Sequence, residues 1–93
     1  MRPIVVTSIR CTCGACPSQW EGHTEDHRQV YIRYRWGYLS VYVSAPHDTS
    51  EYAAVYGEEV LGIDYGDEFD GCMGYETLRL LCVPSVILPE YSA

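Results

Sequence analysis

The stretch Val30-Tyr31-Ile32-Arg33-Tyr34-Arg35-Trp36-Gly37-Tyr38-Leu39-Ser40-Val41-Tyr42-Val43-Ser44 decides how this chain folds. Along its first half, Val30, Ile32 and Tyr34 fall on one side, and Tyr31, Arg33 and Arg35 on the other. Along its second half, Leu39, Val41 and Val43 oppose Tyr38, Ser40, Tyr42 and Ser44. A period of two in β-branched and aromatic residues is the mark of half-buried strands. With Trp36-Gly37 as a two-residue turn, Tyr34 faces Leu39, Ile32 faces Val41 and Val30 faces Val43. All three pairs are apolar, and a slip of one residue would turn one strand's apolar side outward, so this register is favoured. Tryptophan is an unusual first residue for a primed turn, which leaves the turn type open.

Upstream, Ser18 to Thr24 supplies a third antiparallel strand, and Glu25-Asp26-His27-Arg28 turns into the hairpin. Ile4 to Ile9 is β-branched enough to form another strand, placed at an edge. Downstream, Asp48 with Glu51 three places later has the pattern of a helix start, and predicts a short helix through Tyr56 stopped by Gly57. Glu59 to Tyr65 alternates again, with Leu61, Ile63 and Tyr65 on one side. Tyr75 to Val83 sets Leu78, Leu81 and Cys82 on one helical face before Pro84 ends it, and the tail from Ser85 is extended. The expected fold class is α+β in a single domain over residues 1–93. It would hold a small antiparallel sheet of three to five strands, with the central hairpin at 30–44 and one or two short helices.

The 93 residues contain six Arg and no Lys against thirteen acids, a net charge of -7. The charge is unevenly spread: residues 1–47 carry +2 and residues 48–93 carry -9. Two electrically distinct surfaces on one small domain are expected. Such a balance excludes a general nucleic-acid coat and an anionic-membrane binder, both of which need excess positive charge. No apolar run approaches the ~20 residues of a spanning helix, and the start is too short in apolar residues for a secretory signal. A soluble cytoplasmic protein is the expectation. Its five cysteines then read as thiols or metal ligands in preference to a disulfide framework.

Three constellations carry candidate chemistry. Cys11, Cys13 and Cys16 lie close enough for zinc, with His23, His27 or Cys72 as a fourth ligand, although the spacing is not that of a zinc ribbon or finger. Otherwise they are reduced thiols in a loop. The acidic run Glu58, Glu59, Asp64, Asp67, Glu68 and Asp70 fails the spacing of an EF-hand loop. Its carboxylates, separated by small residues, can present negative charge at intervals comparable with phosphates and so suit a partner's basic groove. The plain alternative is a solvated loop that keeps the protein soluble. The outward hairpin face, Tyr31, Arg33 and Arg35 against Tyr38, Ser40 and Tyr42, combines the residue types that dominate interface hot spots. Those side chains could instead merely stabilise the sheet, with Arg35 on Tyr38 and Tyr31 on Tyr42. His23, His27 and His47 are tied to no particular cysteine. With no phosphate loop, nucleophile elbow or metalloprotease motif in the sequence, a non-catalytic protein is expected.

The stretches Cys16-Pro17-Ser18-Gln19-Trp20-Glu21-Gly22 and Val30 to Val41, in a short, acidic, Lys-free chain, resemble small proteins of proteobacterial phages and mobile elements. The chain is similar in style to anti-CRISPR proteins of that setting. The resemblance implies an inhibitor that occupies a basic, nucleic-acid-binding surface of a Cas protein in a type I CRISPR complex and so blocks target DNA. It implies a protein partner, with no direct nucleic-acid contact, no membrane and a bacterial host cytoplasm. The family shares no binding motif, so the partner-binding residues remain the acidic run with Tyr31, Arg33, Arg35, Tyr38 and Tyr42. The alternative function is a small zinc-stabilised module whose Tyr/Arg sheet face grips nucleic acid or peptide.

Overall fold

Strands built largely on alternation of apolar and polar residues make up most of the regular structure. In a computed structural model, residues 3–13, 18–46, 53–55, 57–67 and 71–90 are described. They form strands β1 (Ile4–Cys13), β2 (Ser18–Thr24), β3 (Gln29–Arg35), β4 (Tyr38–Val43) and β5 (Glu58–Asp64), then helix α1 (Tyr75–Cys82) and strand β6 (Val86–Ile87). The six strands make one sheet in the order β5-β4-β3-β2-β1-β6. It curls until it is nearly closed, and 53% of the described residues are strand. That share, against a single eight-residue helix, overturns the α+β expectation: the protein is mostly β.

Two segments account for the difference. The tail is not a free extension; Val86 and Ile87 pair in parallel with Ile4 and Val5, and Ile4 N donates to Ser85 O at 2.9 Å. That pairing moves β1 from the edge to an interior place, as the strand between β2 and β6. The second segment is the one expected to form a helix up to Gly57. Its residues 53–55 form a turn, closed by Gly57 N donating to Ala54 O at 3.0 Å. The start of that expected helix, at Asp48 and Glu51, lies outside the described residues.

The hairpin has the register that its apolar pairs require, with Val30 opposite Val43, Ile32 opposite Val41 and Tyr34 opposite Leu39. Trp36 and Gly37 both have positive φ, 54° and 73°, as a type I′ turn demands. Gly37 is needed twice over. Besides its φ, a methyl group there would lie 2.3 Å from Asp67 O and 2.4 Å from Gly66 O. Tyr65 N and Gly66 N both donate to Gly37 O, at 2.8 and 3.1 Å, and so pin the end of β5 over the turn.

Ile32, Tyr34, Leu39 and Val41 are fully buried, with Trp20, Val6, Ile9, Leu78, Cys82 and Val86 around them. Burying each such side chain contributes roughly 1.5–3 kcal/mol. The helix adds Leu78 and Cys82 to this core, with Leu81 packed against it, as its periodicity indicated. Ser18 ties the segment before the helix to β2: its N–H donates to Gly71 O at 2.7 Å, and its Oγ accepts from Met73 N at 3.1 Å. The β2–β3 turn is held from within. Thr24 Oγ1 donates to Asp26 and accepts from Arg28 N, while Arg28 Nε lies 3.0 Å from Asp26 Oδ2. These contacts hold the Asp26 carboxyl below its ordinary value, the Thr24 hydrogen bond first.

Candidate functional site

Cross-strand partners in an antiparallel sheet point to the same side. Residues that face away from the core on five strands therefore form one surface, arranged in rows across the sheet. One row runs Arg10, Glu21, Tyr31, Tyr42, Glu59, from β1 to β5. The next runs Cys13, Gln19, Arg33, Ser40, Gly62, and a shorter one runs Arg35, Tyr38, Asp64. The Tyr/Arg hairpin face and part of the acidic run are thus neighbours on one face. On it the Arg10–Glu21 pair occupies β1 and β2, tyrosines and the remaining arginines occupy β3 and β4, and Glu59 and Asp64 occupy the β5 edge.

The rows are joined by specific contacts. Tyr31 and Tyr42 stack with ring centres 6.3 Å apart and planes at 25°. Tyr38 donates its hydroxyl hydrogen bond to Glu59 Oε1 at 3.0 Å, reaching diagonally across β5. Gly62 makes this reach possible, since a methyl group there would lie 2.0 Å from the Tyr38 hydroxyl oxygen. The hydrogen bond to Glu59, then desolvation and the Glu59 and Asp64 charges, raise the Tyr38 hydroxyl pKa above its ordinary value. Arg35 departs from expectation: it lies opposite Tyr38 in register, yet its guanidinium sits 3.9 Å from the Trp36 ring centre.

Glu58, Glu59 and Asp64 are exposed, and β5 is an edge strand of the sheet. Among the described residues no cation pairs with them; Arg10, Arg28 and Arg79 are paired with Glu21, Asp26 and Glu76. Asp67 is exposed beside the hairpin turn. Glu68 and Asp70 lie outside the described residues. Charges on an edge strand also discourage pairing with another sheet, which is a structural use for the same side chains.

No family model, curated protein or solved structure matches the chain.

Next to the stacked tyrosines the outer face deepens into a cleft of about 370 Å³, lined by Arg10, Glu21, His23, Gln29, Tyr31 and Val55 among others. Arg10 and Glu21 face one another across β1 and β2 at 3.8 Å, a loose pair. Sequence reasoning missed Arg10 and Glu21 as members of this surface. The alternation of β2 was the one available signal, and it becomes usable only when the β1 register is known.

One cysteine departs from the thiol-or-metal expectation, and three keep the thiol expected of them. Cys72 is disulfide-bonded, whereas Cys11, Cys13 and Cys82 are free thiols. A cysteine in a disulfide has no thiolate to offer a metal, so Cys72 is removed as a fourth zinc ligand. Among the described residues no three His, Cys, Asp or Glu side chains come together to hold a metal. Cys16 and His47 lie outside the described residues, and His23 and His27 are exposed, in the cleft wall and the β2–β3 turn. Cys82 is buried in the core, and desolvation pushes its thiol up to about 11. No helix among the described residues is long and apolar enough to cross a membrane.

Proposed function

We propose that this protein is a non-catalytic inhibitor that docks its outer sheet face on a basic, nucleic-acid-binding surface of another protein. The observation that carries this reading is the shared face of β3, β4 and β5. There, stacked Tyr31 and Tyr42 and half-exposed Tyr38 adjoin the carboxylates Glu59 and Asp64, which no cation neutralises among the described residues. Tyrosines supply rigid contact area at low entropic cost. Unpaired carboxylates at the rim steer a cationic partner and set its orientation. Arg33 and Arg35 on β3 and the carboxylates on β5 give the surface two signs, so the docking has a direction: the β5 edge meets the partner's lysines and arginines. The resemblance to anti-CRISPR proteins names the class of target, a Cas protein in a type I effector complex, whose DNA-binding groove would be covered.

The test is competition. Purified guide-loaded type I effector complex is mixed with labelled target DNA and the protein is titrated in, at two salt concentrations. Wild type is expected to displace DNA, and the double change Glu59→Lys, Asp64→Lys to weaken this at least ~10-fold and flatten its salt dependence. Equal displacement by both proteins, or none by wild type, overturns the proposal.

A further inference from the structure

The tip of the hairpin is built against its own local preference. Trp36 sits at φ 54°, in the left-handed region where bulky side chains are outliers and where Asn or Gly would be at ease. The indole gains little burial in return. It is 65% exposed, whereas the chain's other tryptophan, Trp20, is 3% exposed in the core. The strained position is nonetheless well supported. Arg35 stacks on the ring at 3.9 Å, and two hydrogen bonds from Tyr65 and Gly66 to Gly37 O brace the turn from behind. Tyr65, also exposed, stands edge-on to buried Tyr34 with ring centres 6.2 Å apart. A bulky residue held in an unfavourable conformation, with its ring presented to solvent, is the kind of outlier that marks a binding feature.

From this we infer that Trp36 is the anchor of the docking surface, inserting into an apolar pocket of the partner whose rim carries Lys or Arg. The apolar part follows from the indole itself, the most favoured hot-spot side chain. The rim chemistry follows from charge complementarity: Asp64, exposed and paired with no cation among the described residues, lies opposite Tyr38 at the foot of the turn. The inference rests on the proposed docking of the outer face and adds the residue that would dominate its affinity.

The experiment compares wild type with Trp36→Asn, measuring thermal unfolding and affinity for the guide-loaded type I effector complex. Asn-Gly suits the turn, so the variant is expected to unfold at a higher temperature than wild type while binding at least ~30-fold more weakly. A smaller loss of affinity overturns the anchor while leaving the docking face in place. A variant that unfolds at a lower temperature removes the strain argument and overturns the anchor too. Wild type that fails to bind the effector overturns the docking proposal and the anchor with it. Wild type that instead partitions onto phosphatidylcholine vesicles, with Trp36→Asn not doing so, makes the tip a lipid-binding device and overturns the inference.

Discussion

The two sides of the β3–β4 hairpin share one backbone and divide its tasks. The inward side, Ile32, Tyr34, Leu39 and Val41, is fully buried and mutually packed. The outward side holds a tyrosine stack, a tyrosine–carboxylate hydrogen bond and an arginine over an indole, all wholly or partly open to solvent. Because neighbouring residues point to opposite sides, stability and recognition are written in alternate letters of the same strands. Substitutions on the two sides of one strand should therefore have different consequences.

The sharpest break is between Leu39 and Tyr42. Leu39→Ala removes a fully buried side chain and is expected to cost ~2–5 kcal/mol of unfolding free energy. Tyr42→Ala loses a half-exposed cross-strand partner and should cost about 1 kcal/mol. Urea unfolding of both proteins checks the difference; equal costs would mean that the outer face is packed as a second core.

A smaller and reversible break of the inner side comes from pH. The Cys82 thiol is raised from 9.0 to about 11 by burial, so the folded state holds its proton where the unfolded chain releases it. The stabilising effect is fully present below pH ~9 and is lost as pH rises through about 11. Unfolding measured between pH 8 and 11 should show a decline that Cys82→Ala reduces, although that variant is less stable at neutral pH. An unchanged decline in the variant would place the thiol in water.

The smallest expected effect sharpens the outer side. Glu59→Gln removes the charge and weakens the acceptor of the Tyr38 hydroxyl, so the Tyr38 pKa should fall back towards its ordinary value. Titration followed by NMR of that ring reads the shift, with Gly62→Ala moving it the same way by displacing the hydroxyl. No shift in either variant would mean that Tyr38 and Glu59 are not partners in solution.

The hairpin was legible because each strand's alternation and the pairing between strands agree, and the turn between them is two residues long. Strand β2 was legible from its place before the polar turn Glu25-Asp26-His27-Arg28, without its register. Strand β1 was only half legible. Register shifts between Val6 and Ser8 and between Cys11 and Cys13 break its period, so that Val6 and Ile9, three apart, are both buried. One of these irregularities presses on β2, where a methyl group on Gly22 would lie 2.0 Å from Ser8 O. Strand β6 was not legible at all. Two residues have no period, and their partners Ile4 and Val5 lie at the opposite end of the chain. Cys72 alone among the described cysteines was misread, because an odd count does not forbid a disulfide.

What the sequence determined by itself is local: which residues of Val30 to Ser44 look inward, how they pair, and that the second half of the chain carries the negative charge. Side-chain period and formal charge are properties of neighbours along the chain, and they need no third dimension. The tertiary structure alone decided that carboxylates of β5 stand beside the tyrosines of β3 and β4, that Arg10 and Glu21 join them, and that Trp36 faces solvent. Those facts depend on strand order and sheet curvature, which arise from contacts between segments far apart in sequence and whose closure carries an entropic cost that no local pattern records.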